Sequence, residues 1–246
     1  MPRIDRNTMG MALALLAAGI LAAQAGAQTQ PVKASAKPVR ANWNATITRT
    51  PQGTHVLGNP AAKIRLTQFV SYTCPHCAEF DAEADAQLRL TFVANGQGAV
   101  EVRHFVRDPV DMTVALLTNC GPASKFFLNH AAFMRSQARW IGPLASASAA
   151  QQSRWTSGPF AQRTRYIAKD FGFYPIMATR GYTATQVDKC LANEPLAQRL
   201  AADTDLAADK LNVQGTPTFA VDGVVLAGTH SWDALRPQLA ARMTGL

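Results

Sequence analysis

An α/β fold carrying a helical insertion is predicted by three features of the sequence. Residues 64–106 read as strand, helix, strand. Residues 112–211 show helical periodicity and little strand character. Near the C-terminus two short apolar runs flank Asp222-Gly223, a strong signal for a tight hairpin. With 246 residues and 48% apolar side chains, the chain is long enough for one sizeable core with an insertion.

The N-terminus comes first in order. Arg3 and Arg6 precede an apolar, uncharged run from 9 to 23, and small residues at Ala23, Ala25 and Ala27 follow. This is the three-part pattern of a cleavable secretory signal, assigned to 1–27. The run is only about 15 residues against the ~20 that cross a bilayer, which argues against a retained anchor. Residues 28–41 are rich in Gln, Lys, Ala, Pro and Ser without apolar periodicity and read as a flexible linker. The mature chain is therefore expected outside the cytoplasm, in a periplasm. The formal charge of +8 comes from scattered basic residues, without a basic stripe, an aromatic–basic repeat or zinc-finger spacing, so nucleic-acid binding is not expected.

A short strand is expected near 46–50 or 55–57, then a turn at Gly58-Asn59-Pro60. Residues 64–70 alternate and are partly β-branched, as a strand does. The helix after it should run from Cys74 to about Val93, with Phe80, Ala84, Leu88 and Thr91 on one face, and end at Asn95-Gly96. Residues 100–106 alternate again. A strand–helix–strand unit of this kind implies parallel strands joined by a right-handed crossover. Helix is read from Val114 to Asn119, broken at Gly121-Pro122, with Pro122 opening the next helix. Thr183 to Gln186 fits a capping box ahead of Val187 and Leu191. Leu196, Leu200, Ala207 and Leu211 continue a helical stripe. After the hairpin, Ser231 is the expected cap of a final helix.

The chemistry is expected at Cys74-Pro75-His76-Cys77, where a strand gives way to a helix. The unpaired N–H groups and partial positive charge of a helix start stabilise an anion, and the thiolate is the reactive form of cysteine. Cys74 is therefore expected to be the exposed, low-pKa attacking thiol, and Cys77, one turn on, the resolving one. Pro75 fits the first helical position without forfeiting a hydrogen bond. His76 adds a donor, and a positive charge when protonated. A zinc site would need a second close ligand pair, which the sequence lacks, so no metal is expected. A purely structural bridge across so short a loop would contribute little stability. Glu79, Asp81 and Glu83 read as a solvated helix face, the lesser alternative being that one of them lies beneath the cysteines as a proton relay. His104, His130 and His230 have no ligand spacing and read as core or surface residues. Cys74, Cys77, Cys120 and Cys190 make an even count, which in an exported chain reads as two disulfides with three possible connectivities. Pro217, at the mouth of a strand, is unusual unless it lies at an edge or in a cis bond.

CPHC after a strand, a helical insertion, then Gly215-Thr216-Pro217-Thr218-Phe219 and a hairpin together resemble the DsbA family of thioredoxin-like proteins. The similarity runs over roughly 42–246 and is nearest the branch typed by BdbD-like and alphaproteobacterial DsbA-like proteins. It implies a thioredoxin-like fold with an inserted helical domain, divided as 42–111, 112–211 and 212–246. It implies that Pro217 is cis and faces the CxxC, and that the Thr216 backbone receives an extended substrate by β-augmentation. It also implies a structural Cys120–Cys190 bridge. One departure concerns direction: the best-known DsbA has Val before the cis-proline, whereas Thr216 matches the disulfide isomerases of the wider family. The expected function is oxidation of exported proteins with reduced cysteines, without a bound cofactor, followed by reoxidation by a membrane quinone-coupled, DsbB-like partner. The alternatives are a disulfide reductase or isomerase, and a periplasmic chaperone-like binding module.

Overall fold

A computed structural model describes residues 41–245; the expected signal (1–27) and all but the last residue of the expected linker (28–41) lie outside the described residues. The sheet has six strands: β1 Ile47–Arg49, β2 His55–Gly58, β3 Ile64–Val70, β4 Gly98–His104, β5 Thr218–Val221 and β6 Val224–Val225. Their spatial order is β1-β2-β4-β3-β5-β6. β3 and β4 pair in parallel and every other pair is antiparallel. Leu66 to Val70 of β3 are all buried, as expected of a central strand covered on both faces. Leu66 and Val70 point with Phe219 and Val221 into the main core, while Phe69 and Ala220 face the smaller cluster containing Ala207 and Val213.

The helix after β3 is α1, Pro75–Gln87, and a π-helical turn, Leu88–Val93, follows it. That turn corrects the expected face: a π-helical turn advances less per residue than an α-helix, so Phe92 takes the buried position and Thr91 is exposed. Between β4 and β5 run α2 Pro109–Thr118, α3 Phe126–Trp140, α4 Gly142–Ser146, α5 Ala149–Thr156, α6 Phe160–Asp170, α7 Phe173–Thr179, α8 Ala184–Leu191 and α9 Glu194–Leu211; α10, Trp232–Thr244, closes the chain. α2 begins earlier than the periodicity suggested because Asp108 caps it, accepting from the Val110 and Asp111 amides at 2.9 Å each, with Pro109 in the first turn. Pro122 precedes a short 3-10 turn, Ala123–Lys125, instead of opening a helix. The capping box of Thr183 and Gln186 is present, and Ser231 caps α10.

Two connections position the site. β3 ends at Val70, and the chain turns through Ser71–Cys74 straight into α1. β5 pairs antiparallel with β3, Thr218 opposite Phe69, so the segment entering β5 arrives beside the end of β3. The hairpin that follows uses Asp222 (φ 51°) and Gly223 (φ 83°), the left-handed pair that a two-residue turn matching strand twist requires. Asp222 ties that turn to β3, its carboxylate accepting from the Arg65 amide at 2.8 Å.

Candidate active site

Cys74 is the N-cap of α1, and its carbonyl accepts from the Cys77 amide at 3.2 Å and the Ala78 amide at 3.4 Å. The approach to it is held on several sides. The Tyr72 amide donates to Asp111 Oδ1 at 2.7 Å, and the Thr73 hydroxyl donates to Asp108 Oδ2 at 2.6 Å. From α3, the buried Gln137 amide donates to the Tyr72 carbonyl at 2.7 Å and the Cys74 carbonyl at 2.8 Å. The helical insertion thus contributes directly to the geometry of the CxxC turn.

Opposite the cysteines lies the segment entering β5. The Thr216–Pro217 peptide bond is cis, and Cys74 Sγ lies 3.1 Å from the Thr216 carbonyl, to which it donates when protonated. His230 donates through Nδ1 to the Pro217 carbonyl at 2.9 Å. Cys74 and Cys77 are both free thiols. The expectation that Cys74 is exposed is corrected: it is 2% exposed, because the Thr216 strand entry lies over its sulfur.

The two sulfurs differ sharply in acidity. Cys74 is drawn down from 9.0 to about 5, first by the hydrogen bond from the Cys77 thiol; burial opposes this, and the Thr216 hydroxyl, the Cys77 backbone N–H and the Arg107 charge assist it. Cys77 moves the other way. Burial lifts it well above 9.0, and its hydrogen bond and proximity to the Cys74 sulfur lift it further. At neutral pH the reduced site is a thiolate at Cys74 beside a thiol at Cys77. Thr216 Oγ1 is buried and has no hydrogen-bond partner, which leaves it free to donate to charge on the Cys74 sulfur.

His76, by contrast, points to solvent, its side chain 79% exposed and its Nδ1 3.4 Å from Glu79 Oε2. Asp81 is a correction to the solvated face: it is 8% exposed and lies 3.4 Å from His130 Nε2. Phe80 and Asp81 are the buried positions one turn after Cys77 on α1, so the acid lies on the buried side. Cys120 and Cys190, on the helical insertion, are joined by a disulfide with Cα atoms 5.6 Å apart. Arg107, Asp111, Gln137 and His230 are the site neighbours that sequence reasoning missed. Arg107 was open to inference, because the parallel pairing of β3 and β4 brings the ends of both strands to one edge. No local spacing announces the other three. Burial raises the Asp111 carboxyl from 3.8 to about 7, against the hydrogen bonds it accepts from the Ser71–Tyr72 turn and the Arg107 amide.

Fold and site together define a thioredoxin-like protein with a CxxC at a helix start and a cis-proline opposite it. The thioredoxin family's sequence profile matches residues 50–241, and the chain belongs to that family. A crystal structure described as a protein-disulfide isomerase from Novosphingobium aromaticivorans is 60% identical, with TM-score 0.75, over 77% of this chain and 97% of that one. The alpha-DsbA1 of Wolbachia pipientis, 18% identical with TM-score 0.61 over 76% of this chain and 89% of that one, shares the fold. A Rickettsia bellii protein, named as a candidate protein-disulfide oxidoreductase, is 26% identical over 170 residues, 69% of this chain. The chain spans 57% of the length of that curated relative. Among the described residues, no helix is long and apolar enough to cross a membrane.

Proposed function

We propose that this chain is a thiol–disulfide oxidoreductase of DsbA type that oxidises paired cysteines in exported proteins. The observation carrying this reading is the opposed acidity of the two sulfurs. A Cys74 thiolate held about two units below neutrality stabilises the reduced form, and each unit is worth about 1.4 kcal/mol. A stabilised reduced form makes the disulfide an oxidant. A substrate thiolate attacks Cys74 of the Cys74–Cys77 disulfide, the S–S bond breaks, and Cys77 leaves with the electron pair and takes a proton. A second substrate thiolate attacks the substrate sulfur of the mixed disulfide, and Cys74 departs as a stable thiolate. The substrate leaves oxidised by two electrons and the protein holds them. The Thr216 backbone beside Cys74 is the proposed pairing edge for an extended substrate, with Pro217 behind it. Pro75 sets the first turn of α1, and His76 is the proposed rim contact. The Cys120–Cys190 bridge is proposed to be structural. The working compartment is proposed to be the periplasm, with reoxidation by a membrane quinone-coupled, DsbB-like partner.

A second reading, disulfide isomerase or reductase, is favoured by the printed name of the 60% identical structure and by Thr216 before the proline. The test is a trapping experiment. Cys77→Ala, activated at Cys74 as a mixed disulfide, is mixed with a reduced one-cysteine peptide, and the oxidised wild-type chain is mixed with its two-cysteine counterpart. Oxidised peptide in stoichiometric yield from the wild type, together with a peptide adduct at Cys74 in the variant, supports the oxidase. Activity on unfolded protein that survives alkylation of both thiols would instead identify a binding module.

A further inference from the structure

The thiol–disulfide chemistry leaves one question of proton balance. Cys77 must gain a proton each time the disulfide opens and lose it each time it closes, yet its sulfur is buried, with Cys77 1% exposed. Asp81 lies one turn further along α1 on the same buried face. Its Oδ1 is 3.4 Å from His130 Nε2, and His130 Nδ1 is 2.9 Å from the Tyr72 hydroxyl. Tyr72, fully buried, is close enough to both Asp81 and Cys77 to feel their charge. The other carboxylate oxygen, Asp81 Oδ2, is buried with no hydrogen-bond partner. Asp81 and His130 also line a cavity of about 20 Å³, shared with Gln68, Asp85 and Arg89. That is room for one water, held by these polar groups at one side of an otherwise apolar lining. Asp85 and Arg89, paired at 2.7 Å, stand at its outer side and are partly exposed.

We propose that Asp81 and His130 form a buried proton-exchange pair that serves Cys77, exchanging with solvent through the adjacent cavity. When a thiolate attacks Cys74, the S–S electron pair stays on Cys77, and the Asp81–His130 pair supplies the proton that neutralises it. When the disulfide re-forms, the Cys77 proton passes to the pair as the sulfur attacks Cys74, and it leaves through the cavity. The pair is not itself oxidised or reduced.

The charged and titratable groups around the pair leave this role to it. On α1 these are Cys77 and Asp85, and on α3 Arg135, whose guanidinium pairs with Asp85 at 2.8 Å and lies 3.9 Å from Asp81 Oδ2. Arg89 comes from the π-helical turn and Tyr72 from the loop after β3. His104 on β4 and His55 on β2 are held neutral by burial, at about 3 and about 4, and so do not compete for the proton near neutral pH. Gln68 carries no exchangeable charge.

The proposal rests on the dithiol–disulfide reading, but its test uses glutathione in place of a protein substrate. Reduced protein is mixed with excess glutathione disulfide, and acid quench with mass analysis resolves two steps. Cys74 first forms a glutathione adduct in a second-order step, and Cys77 then displaces glutathione in a first-order step. For Asp81→Asn the second step should slow at least tenfold at pH 7 and recover about tenfold per pH unit as hydroxide replaces the pair. The first step should keep the wild-type rate. Asp81→Glu should restore most of the second step, and His130→Gln should resemble Asp81→Asn. An unchanged second step with an unchanged pH profile would overturn the proposal, and so would equal slowing of both steps, which marks a purely structural carboxylate. If the chain proved inert toward protein thiols yet resolved glutathione through Asp81, the oxidase reading would fall and the proton-exchange pair would stand.

Discussion

Replacing Thr216 by Val removes one hydroxyl and keeps the side-chain shape. Thr216 Oγ1 is buried without a hydrogen-bond partner, and it lies where it can donate to the Cys74 thiolate and help hold the pKa down. Hydrogen bonds to charged groups contribute about 1.5–3 kcal/mol. At about 1.4 kcal/mol per unit, losing this one should raise the Cys74 pKa by about one to two units from its value of about 5. The effect on the reduced form at pH 7 is smaller, because a pKa near 7 leaves the thiol half protonated. Stabilisation of the reduced state falls by about 1.3–2.3 kcal/mol, which for a two-electron couple lowers the potential by about 30–50 mV. Oxidation of a reduced test protein should persist at a lower rate. The assay is ultraviolet absorbance of the thiolate against pH, paired with equilibration against glutathione. A wild-type pKa and potential in Thr216→Val would show instead that the hydroxyl does not face the charge.

Three further outcomes follow from the same contacts. Lowering the folded pKa of Cys74 stabilises the reduced protein most above the unfolded value near 9, and that stability is lost as pH falls toward about 5, so the reduced-minus-oxidised melting difference should grow as pH rises from 5 to 8; a flat difference would contradict it. Asp111 has the opposite sign: its raised pKa means that folding stability is lost as pH rises from 3.8 through about 7, so the denaturant stability of Asp111→Asn relative to wild type should climb over that window and then level, whereas a constant offset would show an unperturbed carboxyl. Gentle dithiothreitol followed by alkylation and mass mapping should label Cys74 and Cys77 alone, and replacing both Cys120 and Cys190 by Ala should cost about 4 kcal/mol by loop-closure entropy, with equal labelling of all four cysteines as the contrary result.

The strand–helix–strand unit, the Asp-Gly hairpin and the capping box were legible because each is written in local residue order. β3 alternates, Asp222 and Gly223 take left-handed backbone, and Thr183 reaches Gln186 three residues on. The CxxC was legible for the same reason, since its placement at a helix start follows from the strand before it. What escaped the sequence depends on distance along the chain. Gln137 holds the Cys74 carbonyl from 63 residues away, and nothing in the amphipathic pattern of α3 marks it as a polar clamp. Asp81 reads as one acid among four on α1, with Glu79, Glu83 and Asp85. Only the packing of α3 against that helix, which brings His130 to it, separates it from Glu79 and Glu83. The π-helical turn is likewise invisible to a count of helical spacing, and it moved the buried position from Thr91 to Phe92. Cys74 looked exposed because a helix start usually is; the partner that covers it, Thr216, comes from the far end of the chain.

Whether a stabilised Cys74 thiolate poises the Cys74–Cys77 pair as an oxidant is read from the equilibrium reduction potential of that pair at pH 7, taken from the oxidised fraction across a series of glutathione buffers. A potential above about −200 mV is expected, on the oxidising side of the thioredoxin value near −270 mV. A potential at or below −270 mV, with Cys74 titrating near its ordinary value, would contradict it.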